Sequence, residues 1–492
     1  MRLTTSASGA AGWFRAFARA RRGNVSILFA FSLVPMIGVA GLSVDYGIAL
    51  SAKSKLDNAA DAAALAAVAT AKAYVAANPS DANVSANAIT AGVDRAKRAF
   101  TVNAGAVPFA LVPTPTIGLT RTGQTFASAV SYSTTSTTQF GKMFGQTALT
   151  IVGSSAAGAD VPSYLDFYLM VDESGSMGIP TTSADQTTLA NVNGSCQFAC
   201  HFPASASGGD GFSIATTGKK NDGTRVLSAA LQLRSGAVNN ALCKLLTRAA
   251  SPAVTNQYRV GIYPFINQIA TLASLTTNIA SLQSAADCSS SPPMKLTTLL
   301  DTDTTQFYTG GDPTTGTGSG GTHFELVLPG MKALVSPIGD GSSATSSKPF
   351  VFLITDGMDN NQNYTFKSGS SYRYVGNPNT AFTSYTGSDG RTPVTASFDG
   401  SQPKLFNTSL CSQLKSGGVT LSILYIPYVP LTVGTSNQGE TNTVNGLIPS
   451  LSSNLQSCAS AGFFYTASSE SDITAALNAM FNQALQVAHL SK

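Results

Sequence analysis

The sequence predicts a membrane-anchored α/β protein. We expect an N-terminal transmembrane helix that extends into a long helix, then a small β-rich unit, and then a doubly wound, Rossmann-like domain with large loop insertions. Three observations lead to this prediction: an uncharged apolar stretch at 25–44, an Ala-rich stretch directly after it, and strand-like and helix-like patterns that alternate from residue 164 onwards. The chain has 492 residues, which is enough for several domains.

The charge of the chain is low and unevenly distributed. Charged residues make up 11% of the chain and the formal net charge is +4. Five of the 29 basic residues precede residue 24: Arg2, Arg15, Arg19, Arg21 and Arg22. The rest of the chain contains 24 basic and 25 acidic residues. A nearly neutral chain beyond that point offers no basic surface for neutralising phosphates, which argues against a nucleic-acid-binding protein.

The stretch Val25–Val44 contains 20 residues and no charge. A helix of about 20 residues crosses the hydrocarbon layer of a bilayer. The alternative is a cleaved signal peptide, which has a shorter apolar region of about 7–15 residues followed by a small-residue cleavage site. The basic tail at 1–24 and Asp45 after the stretch predict a cytoplasmic N-terminus and a translocated remainder of the chain, because cytoplasmic flanks carry the excess of Arg and Lys.

All six cysteines follow this stretch, on the side of the membrane where disulfides persist. Six cysteines permit fifteen connectivities, among which the sequence does not choose. Cys196 and Cys200, followed by His201, resemble a haem-attachment motif lengthened by one residue, but a short disulfide loop is the favoured interpretation. The disulfide candidates are Cys196, Cys200, Cys243, Cys288, Cys411 and Cys458.

The region 45–104 is rich in alanine and predicts an aqueous continuation of the transmembrane helix. Ala59, Ala63 and Ala67 recur at four-residue spacing and form a small face. Such a face permits the close approach of another helix. A solvated Ala-rich stalk is the interpretation that we favour.

The region 105–160 predicts a small β-rich unit. Short runs typical of strands occur at 126–132 and 148–152. They stand among Thr, Gly and Pro residues, which are typical of the turns that bound strands.

From residue 161 to 492 the pattern is that of an α/β domain. Its strand-like apolar runs are Tyr164–Val171, Tyr258–Phe265, Pro349–Ile354 and Val419–Ile426. Amphipathic helical patterns run from Val226 to Leu246 and from Ile473 to Leu485. This succession predicts a doubly wound sheet with ligands at the carboxyl ends of its strands. Segments rich in Gly, Ser, Thr, Asn and Pro are interpreted as loop insertions: 179–222, 285–320, 358–408 and 430–452.

Oxygen-bearing side chains follow the first of these strands. Asp172, Ser174 and Ser176 form a D-x-S-x-S motif that presents one carboxylate and two hydroxyls on a tight turn. Thr322 opens a later helical segment, and Asp356 directly follows a buried strand. Oxygen ligands of this kind suit a hard cation such as Mg²⁺.

These residues resemble the metal-ion-dependent adhesion site of the von Willebrand factor A fold, and the resemblance covers roughly 164–488. It implies a bound divalent cation, Mg²⁺ or else Mn²⁺ or Ca²⁺. Four residues would bind this ion directly or through water: Asp172, Ser174, Ser176 and Thr322. Asp356 would bind it mainly through water. The resemblance also implies that the carboxylate of a partner fills the open coordination position. Pro329 departs from the pattern, because a proline there is expected to kink or end the helix after Thr322.

Both ends of the chain resemble TadG-like proteins of the TadE/TadG family, which act in Flp, or tight-adherence, pilus assembly. The matching segments are Arg22–Phe31, Gly41–Tyr46, Leu56–Leu65, Leu410–Val419, Leu455–Ser460 and Phe464–Ala467. The resemblance implies a single-pass protein of the bacterial inner membrane with a periplasmic A domain, and a Cys411–Cys458 disulfide. Pilin precursors carry a glutamate five residues after the cleavage glycine, whereas Leu28 takes that place after Gly23. We therefore expect an uncleaved membrane anchor.

The predicted function is that of a non-enzymatic scaffold in pilus assembly or adhesion, whose cation recognises an acidic group on an envelope protein. Its expected partners are other tight-adherence components, with no nucleic acid and no small-molecule substrate. One alternative is a secreted or surface-displayed adhesin, which differs in location. The less favoured alternative is a metal-dependent hydrolase, for which His323 is the only histidine near the motifs that could act as a base.

Overall fold

The structure is a computed structural model that describes residues 24–78, 81, 83–197, 199, 210–252, 257–266, 268–293, 295–296, 317, 321–335, 337–361, 363–368, 371–375, 392–397, 402–431 and 438–490. These residues form two compact units. The first unit consists of the described residues of Met1–Val75 and Ser85–Asp160. The second consists of those of Ala76–Val84 and Val161–Lys492.

The first unit contains two helices and a three-stranded antiparallel sheet. Its elements are α1 (Asn24–Ala77), α2 (Val84–Ala104), β1 (Thr116–Thr122), β2 (Thr125–Thr137) and β3 (Ala148–Asp160), with a 3₁₀ turn at Gly141–Phe144. The strands are ordered β1-β2-β3. Among the described residues, α1 is the one helix that is long and apolar enough to cross a membrane.

The small face of α1 is buried within this unit. Ala59, Ala63 and Ala67 have no exposed surface. A side chain at Gly92 of α2 would place its Cβ 2.7 Å from the carbonyl oxygen of Ala67, so α2 approaches the backbone of α1 closely. The interpretation as a solvated stalk was therefore wrong: the small alanine side chains let other elements pack against the helix. The Ala-rich region also contains two helices instead of one, since α1 ends at Ala77.

The second unit is built around a six-stranded sheet in the order β14-β13-β7-β4-β5-β6. Its strands are β4 (Leu165–Asp172), β5 (Tyr258–Phe265), β6 (Ala273–Thr276), β7 (Lys348–Thr355), β13 (Thr420–Tyr425) and β14 (Phe464–Thr466). All neighbouring pairs are parallel except β5 and β6. Read from β6, the strands have the spatial order 3-2-1-4-5-6 of a doubly wound fold, which confirms the predicted fold class. The direction of winding reverses between β4 and β7, where such folds bind their ligands.

Helices cover both faces of this sheet. They are α3 (Ser183–Val192), α4 (Gly211–Thr217), α5 (Arg234–Ala249), α6 (Ile279–Ala285), α7 (Phe324–Leu334), α8 (Ser409–Ser416), α9 (Gln438–Cys458) and α10 (Glu470–Leu490). All eight residues of β4 are buried, and its apolar side chains alternate between two hydrophobic cores. Phe167 and Leu169 belong to the core that includes α5 and α10, whereas Tyr168 and Met170 belong to the core that includes α7, α8 and α9. This two-sided burial explains why the sequence of β4 is apolar apart from Asp166 and Asp172.

Short strands form two further sheets between β7 and α8. They are β8 (Asp359–Asn360), β9 (Asn363–Ser368), β10 (Ser371–Val375), β11 (Thr392–Ser397) and β12 (Pro403–Lys404). The order of the first sheet is β10-β9-β11, and β8 pairs with β12 in the second. The segment 358–408, predicted as a loop insertion, thus carries secondary structure of its own.

The segment 179–222, predicted as a loop insertion, contains α3 and α4, because buried residues such as Leu189 and Ile214 pack these helices against the core. Three further local predictions were wrong. The helix expected from Val226 begins only at Arg234. The backbone before Arg234 forms hydrogen bonds with other segments instead; for example, the N–H of Leu231 donates to the carbonyl of Ala215. The helix α9 occupies most of the predicted loop 430–452, since buried residues such as Leu451 and Leu455 pack it against the core. The helix α7 does not end at Pro329 but continues to Leu334, since the buried residues Leu328 and Met331 pack both sides of the proline against the core.

Two disulfides join described residues of the second unit. One links Cys411 of α8 to Cys458 at the end of α9, with 5.4 Å between the Cα atoms, which confirms the pairing implied by the family resemblance. The other links Cys243 to Cys288. Cys196 is also disulfide-bonded, while Cys200 of the predicted short loop lies outside the described residues.

Candidate metal site

The turn after β4 gathers the first three predicted ligands. The carboxylate of Asp172 accepts a hydrogen bond from the backbone N–H of Ser174 at 2.9 Å. The hydroxyls of Ser174 and Ser176 lie 3.0 Å apart. Asp172 and Ser174 are buried, and a 3₁₀ turn at Gly175–Gly178 follows them. The D-x-S-x-S spacing therefore folds into a single compact group of oxygen atoms.

The end of β7 supplies the second carboxylate and a residue that sequence reasoning missed. Asp356 follows β7 and is fully buried. The hydroxyl of Thr355 donates a hydrogen bond of 2.6 Å to the other carboxylate oxygen of Asp172. This bond ties the ends of β4 and β7 together at the switch point of the sheet. The sequence shows that a hydroxyl residue, Thr355, directly precedes Asp356. Only the adjacency of β4 and β7 in the sheet reveals that this hydroxyl bonds to Asp172.

Thr322 is positioned by the backbone of the neighbouring segments. It exchanges two backbone hydrogen bonds of 2.8 Å with Asn360, and its successor His323 donates from its N–H to the carbonyl of Ile266 at 3.0 Å. Ile266 directly follows β5, so these bonds hold Thr322 beside the carboxyl end of the sheet. Thr322 itself is buried.

Arg234, at the start of α5, is a site residue that the sequence did not reveal. Its Nη1 lies 3.2 Å from Oδ2 of Asp356, and its Nη2 donates a hydrogen bond of 2.9 Å to the carbonyl of Pro427. The guanidinium stacks over the ring of Tyr428 at 4.9 Å from the centroid. The helical pattern from Val226 includes Arg234 in its interior, which concealed its position at the end of the sheet.

The site concentrates buried negative groups. Burial raises the pKa of Asp172 to about 7, and the charge of Asp356 acts in the same direction. Burial also raises the pKa of Asp356, although the charge of Arg234 opposes it. The pKa of Glu173 lies well above its ordinary value because the carboxyl is buried and adjoins Asp172. Of these three carboxyls, that of Asp356 contacts the guanidinium of Arg234. A further cation would stabilise the ionised forms of the carboxyls.

The donor set fits a hard divalent cation. Oδ1 of Asp356 and both carboxyl oxygens of Glu173 are buried without a hydrogen-bond partner among the described residues. Buried oxygens of this kind are costly unless another group satisfies them. Within the described ranges, no three His, Cys, Asp or Glu side chains are arranged to hold a metal ion. The candidate therefore depends on hydroxyls together with two carboxylates, which is an oxygen-only set of the type that Mg²⁺ accepts.

His323, the candidate base of a hydrolase, is engaged elsewhere. It is buried, and its Nδ1 lies 2.9 Å from Oε1 of Glu325. A base in this role must reach a water molecule on the metal. The contact with Glu325 holds one ring nitrogen of His323 away from that task.

Comparison with known proteins identifies one sequence family. The model of a family described as putative Flp pilus-assembly TadE/G-like matches residues 23–72. These residues cover most of α1, including the apolar stretch. No curated protein matches the chain.

Several solved structures show partial similarity. The pilus adhesin SpaC from Lactobacillus rhamnosus GG aligns with 16% identity and a TM-score of 0.32, over 76% of this chain and 33% of its own. The PilB minor pilin from Streptococcus sanguinis aligns with 11% identity and a TM-score of 0.30, over 78% of this chain and 80% of its own. The vWF domain of the type V pili tip protein Mfa5 from Porphyromonas gingivalis aligns with 12% identity and a TM-score of 0.30, over 68% of this chain and 98% of its own. This chain thus spans about a third of the length of SpaC.

Proposed function

We propose that the protein is a membrane-anchored scaffold of pilus assembly or adhesion whose α/β domain binds a divalent cation and, through it, an acidic group on an envelope partner. The observation that carries the proposal is the buried cluster of oxygen atoms at the switch point of the sheet, where Asp172 joins β4 to β7 and Asp356 keeps an unpartnered oxygen. The match of residues 23–72 to a pilus-assembly family supports the proposed role in pilus assembly.

The chemistry of the site favours recognition over catalysis. The proposed ligands are Asp172, Ser174, Ser176, Thr322 and Asp356. A cation bound by them, Mg²⁺ or else Mn²⁺ or Ca²⁺, would supply a Lewis-acidic position for an oxygen ligand of the partner. Thr355 and Arg234 would hold the two carboxylates in place, as residues that hydrogen bond to metal ligands commonly do.

The proposed location is the bacterial inner membrane, with a cytoplasmic N-terminus and the second unit in the periplasm. The apolar helix α1 and the basic tail before it support this orientation. The disulfides Cys243–Cys288 and Cys411–Cys458 agree with an oxidising compartment. The expected partners are other components of tight-adherence pilus assembly.

Calorimetric titration of Mg²⁺ and Mn²⁺ into the detergent-solubilised full chain tests the cation site. We expect binding by the wild type and its loss in Asp172→Asn, which removes the charge but keeps the shape of the side chain. Asp94→Asn is the matched control, because that carboxylate is exposed on α2. A folded wild-type protein that binds neither ion would contradict the proposed site.

A second measurement separates the scaffold from the adhesin. We expect the full-length protein in the inner-membrane fraction of the cell. Recovery of a shorter form in the medium or on the cell surface would favour the adhesin instead.

A further inference from the structure

A short apolar turn joins β2 to β3 in the first unit. We call Phe140–Phe144 the aromatic turn. Its three large apolar side chains are exposed, Met143 by 76%, Phe144 by 54% and Phe140 by 39%. Gly145 ends the turn in the left-handed conformation with φ of 83°. Exposed apolar groups clustered on so short a segment are unusual on a surface that faces water.

The aromatic turn is seated on α1. A Cβ atom at Gly38 would lie 2.5 Å from Cζ of Phe144, and one at Gly41 would lie 2.6 Å from Cβ of Phe140. The two glycines therefore provide the space in which the two rings contact the helix. Because Gly38 and Gly41 are three residues apart, they lie on one face of α1.

Asp45 fixes the same turn through its backbone. Its carboxylate accepts hydrogen bonds from the N–H groups of Gln139, Phe140 and Gly141 at 2.8, 2.9 and 2.7 Å. Asp45 is 3% exposed, so these donors replace water around the charge. A carboxylate with three backbone donors is a strong and directional attachment.

The aromatic turn contacts α1 within the apolar stretch 25–44. The helix rises about 1.5 Å per residue, so Gly38 lies about 10 Å along α1 from Asp45, on the side of the apolar stretch. Large side chains of the same part of α1 are exposed, such as Met36 and Val39 at 66% each. A bilayer that covers these side chains must also meet the aromatic turn.

We propose that the aromatic turn is a second membrane contact, which inserts Phe140, Met143 and Phe144 into the interfacial region of the leaflet on the far side of the membrane from the N-terminus. The inference rests on the proposed membrane anchor α1. Aromatic side chains are enriched at this level of a bilayer. The exposed cation of Lys142 within the turn complements the phosphates of lipid headgroups.

Two attachments to the same bilayer have a mechanical consequence. A single helix can rotate about its axis and tilt in the membrane. Insertion of the aromatic turn fixes the rotation of α1, because the turn is joined to one face of the helix. The sheet β1-β2-β3 is then held in one orientation towards the membrane surface.

Fluorescence quenching in proteoliposomes tests the contact. The full chain is reconstituted into phosphatidylethanolamine and phosphatidylglycerol vesicles, with an environment-sensitive fluorophore on Met143→Cys, Met36→Cys or Ala129→Cys. Met36 lies in the apolar stretch. Ala129 is exposed on β2, next to Ser128, whose hydroxyl bonds to the carbonyl of Ala64; Ala64 lies about 28 Å along α1 beyond Asp45.

We expect spin-labelled lipids to quench the probes at 143 and 36 by about twofold or more and to leave the probe at 129 almost unchanged. Quenching at 36 without quenching at 143 would overturn the proposal but leave the anchor intact. Shielding of the probe at 143 from both lipid and aqueous quenchers would also overturn the proposal. That result would mean that a partner protein, or a second copy of this chain, covers the aromatic turn. Absence of lipid quenching at 36 would contradict the membrane anchor itself.

Discussion

At the scale of single residues, Arg234 determines the electrostatic balance of the candidate site. Its guanidinium is the charged donor that contacts Asp356, and both side chains are almost completely buried. Glu173 and Asp172 lie beside them in the same buried cluster. A buried charge that loses its partner is more costly than the intact pair.

Replacing Arg234 therefore has a predictable effect. We expect Arg234→Met to lower the free energy of unfolding of the metal-free protein by about 3–5 kcal/mol, because Asp356 would remain buried without its partner. Denaturant unfolding with and without Mg²⁺ measures this loss, and the protection by Mg²⁺ should be larger in the variant. The control is Lys97→Met, which breaks an exposed ion pair with Asp94 on α2 and should cost about 1 kcal/mol or less. Equal losses in the two variants would mean that the buried pair has no special role.

At the scale of secondary-structure elements, close approach between backbones organises the first unit. Gly92 of α2 faces the carbonyl of Ala67, whereas a Cβ atom added at Gly47 of α1 would have no atom within 4 Å. The two glycines thus differ in whether a side chain can be accommodated. Both are in helices, where glycine is intrinsically unfavourable.

Substitution by alanine should have opposite effects at these positions. Gly92→Ala should destabilise the protein by about 1–3 kcal/mol because the added methyl group forces α2 away from α1. Gly47→Ala should stabilise it by about 0.5–1 kcal/mol through helix propensity. Thermal unfolding of the two variants in the same detergent compares them directly. A stabilising Gly92→Ala would show that the helices do not approach as described.

Glu470, in the first turn of α10, forms polar contacts with α5 and with the segment before it. Its carboxylate accepts hydrogen bonds from Asn240 at 2.8 Å and from Lys244 at 2.7 Å, and a further one from Gln232. Burial raises the pKa of Glu470, but these donors and the charge of Lys244 outweigh it, so the pKa lies below the ordinary value of 4.5. A lowered pKa means that the ionised form stabilises the fold.

This shift predicts an acid-dependent loss of stability. The contribution of Glu470 is fully present above pH 4.5 and disappears as the pH falls through the lower pKa of the folded state. We expect Glu470→Gln to lower the free energy of unfolding by about 1–2 kcal/mol at pH 7. Between about pH 5 and stronger acid, the variant should lose less stability than the wild type. Asp472→Asn, in the same first turn of α10, is the control and should change little. Identical pH profiles of wild type and Glu470→Gln would contradict the assignment.

At the scale of the whole molecule, an apolar helix and a disulfide-bonded α/β unit belong to one chain. The helix α1 is long and apolar enough to cross a membrane, and its large side chains between 27 and 44 are exposed. The second unit has cores on both faces of its sheet and two disulfides among the described residues. The proposed function, in which a membrane anchor carries the second unit on the periplasmic side, accounts for both properties.

Alkaline extraction of membranes tests the anchor. We expect the wild-type protein to remain in the membrane pellet, since about 20 apolar residues insert stably. A variant with Val34→Arg and Ile37→Arg should be extracted to a much larger extent, because each arginine at the centre of a span costs about 2.5–3.5 kcal/mol. Ala129→Arg, at an exposed position outside the span, is the matched control. Release of the wild type under these conditions would contradict the anchor.

Features that depend on local composition and period could be predicted from the sequence. The apolar length of α1, the strand-like runs of β4, β5, β7 and β13, and the D-x-S-x-S turn were all readable because each is encoded within a short run of consecutive residues. The tertiary structure alone decided which distant groups meet. Arg234 and Asp356 are separated by 122 positions, and Asp45 and Gly141 by 96. Such contacts follow from strand order and from the packing of whole elements, so no local pattern predicts them. The same reason explains α9, whose polar composition suggested a loop until the buried Leu451 and Leu455 joined it to the core.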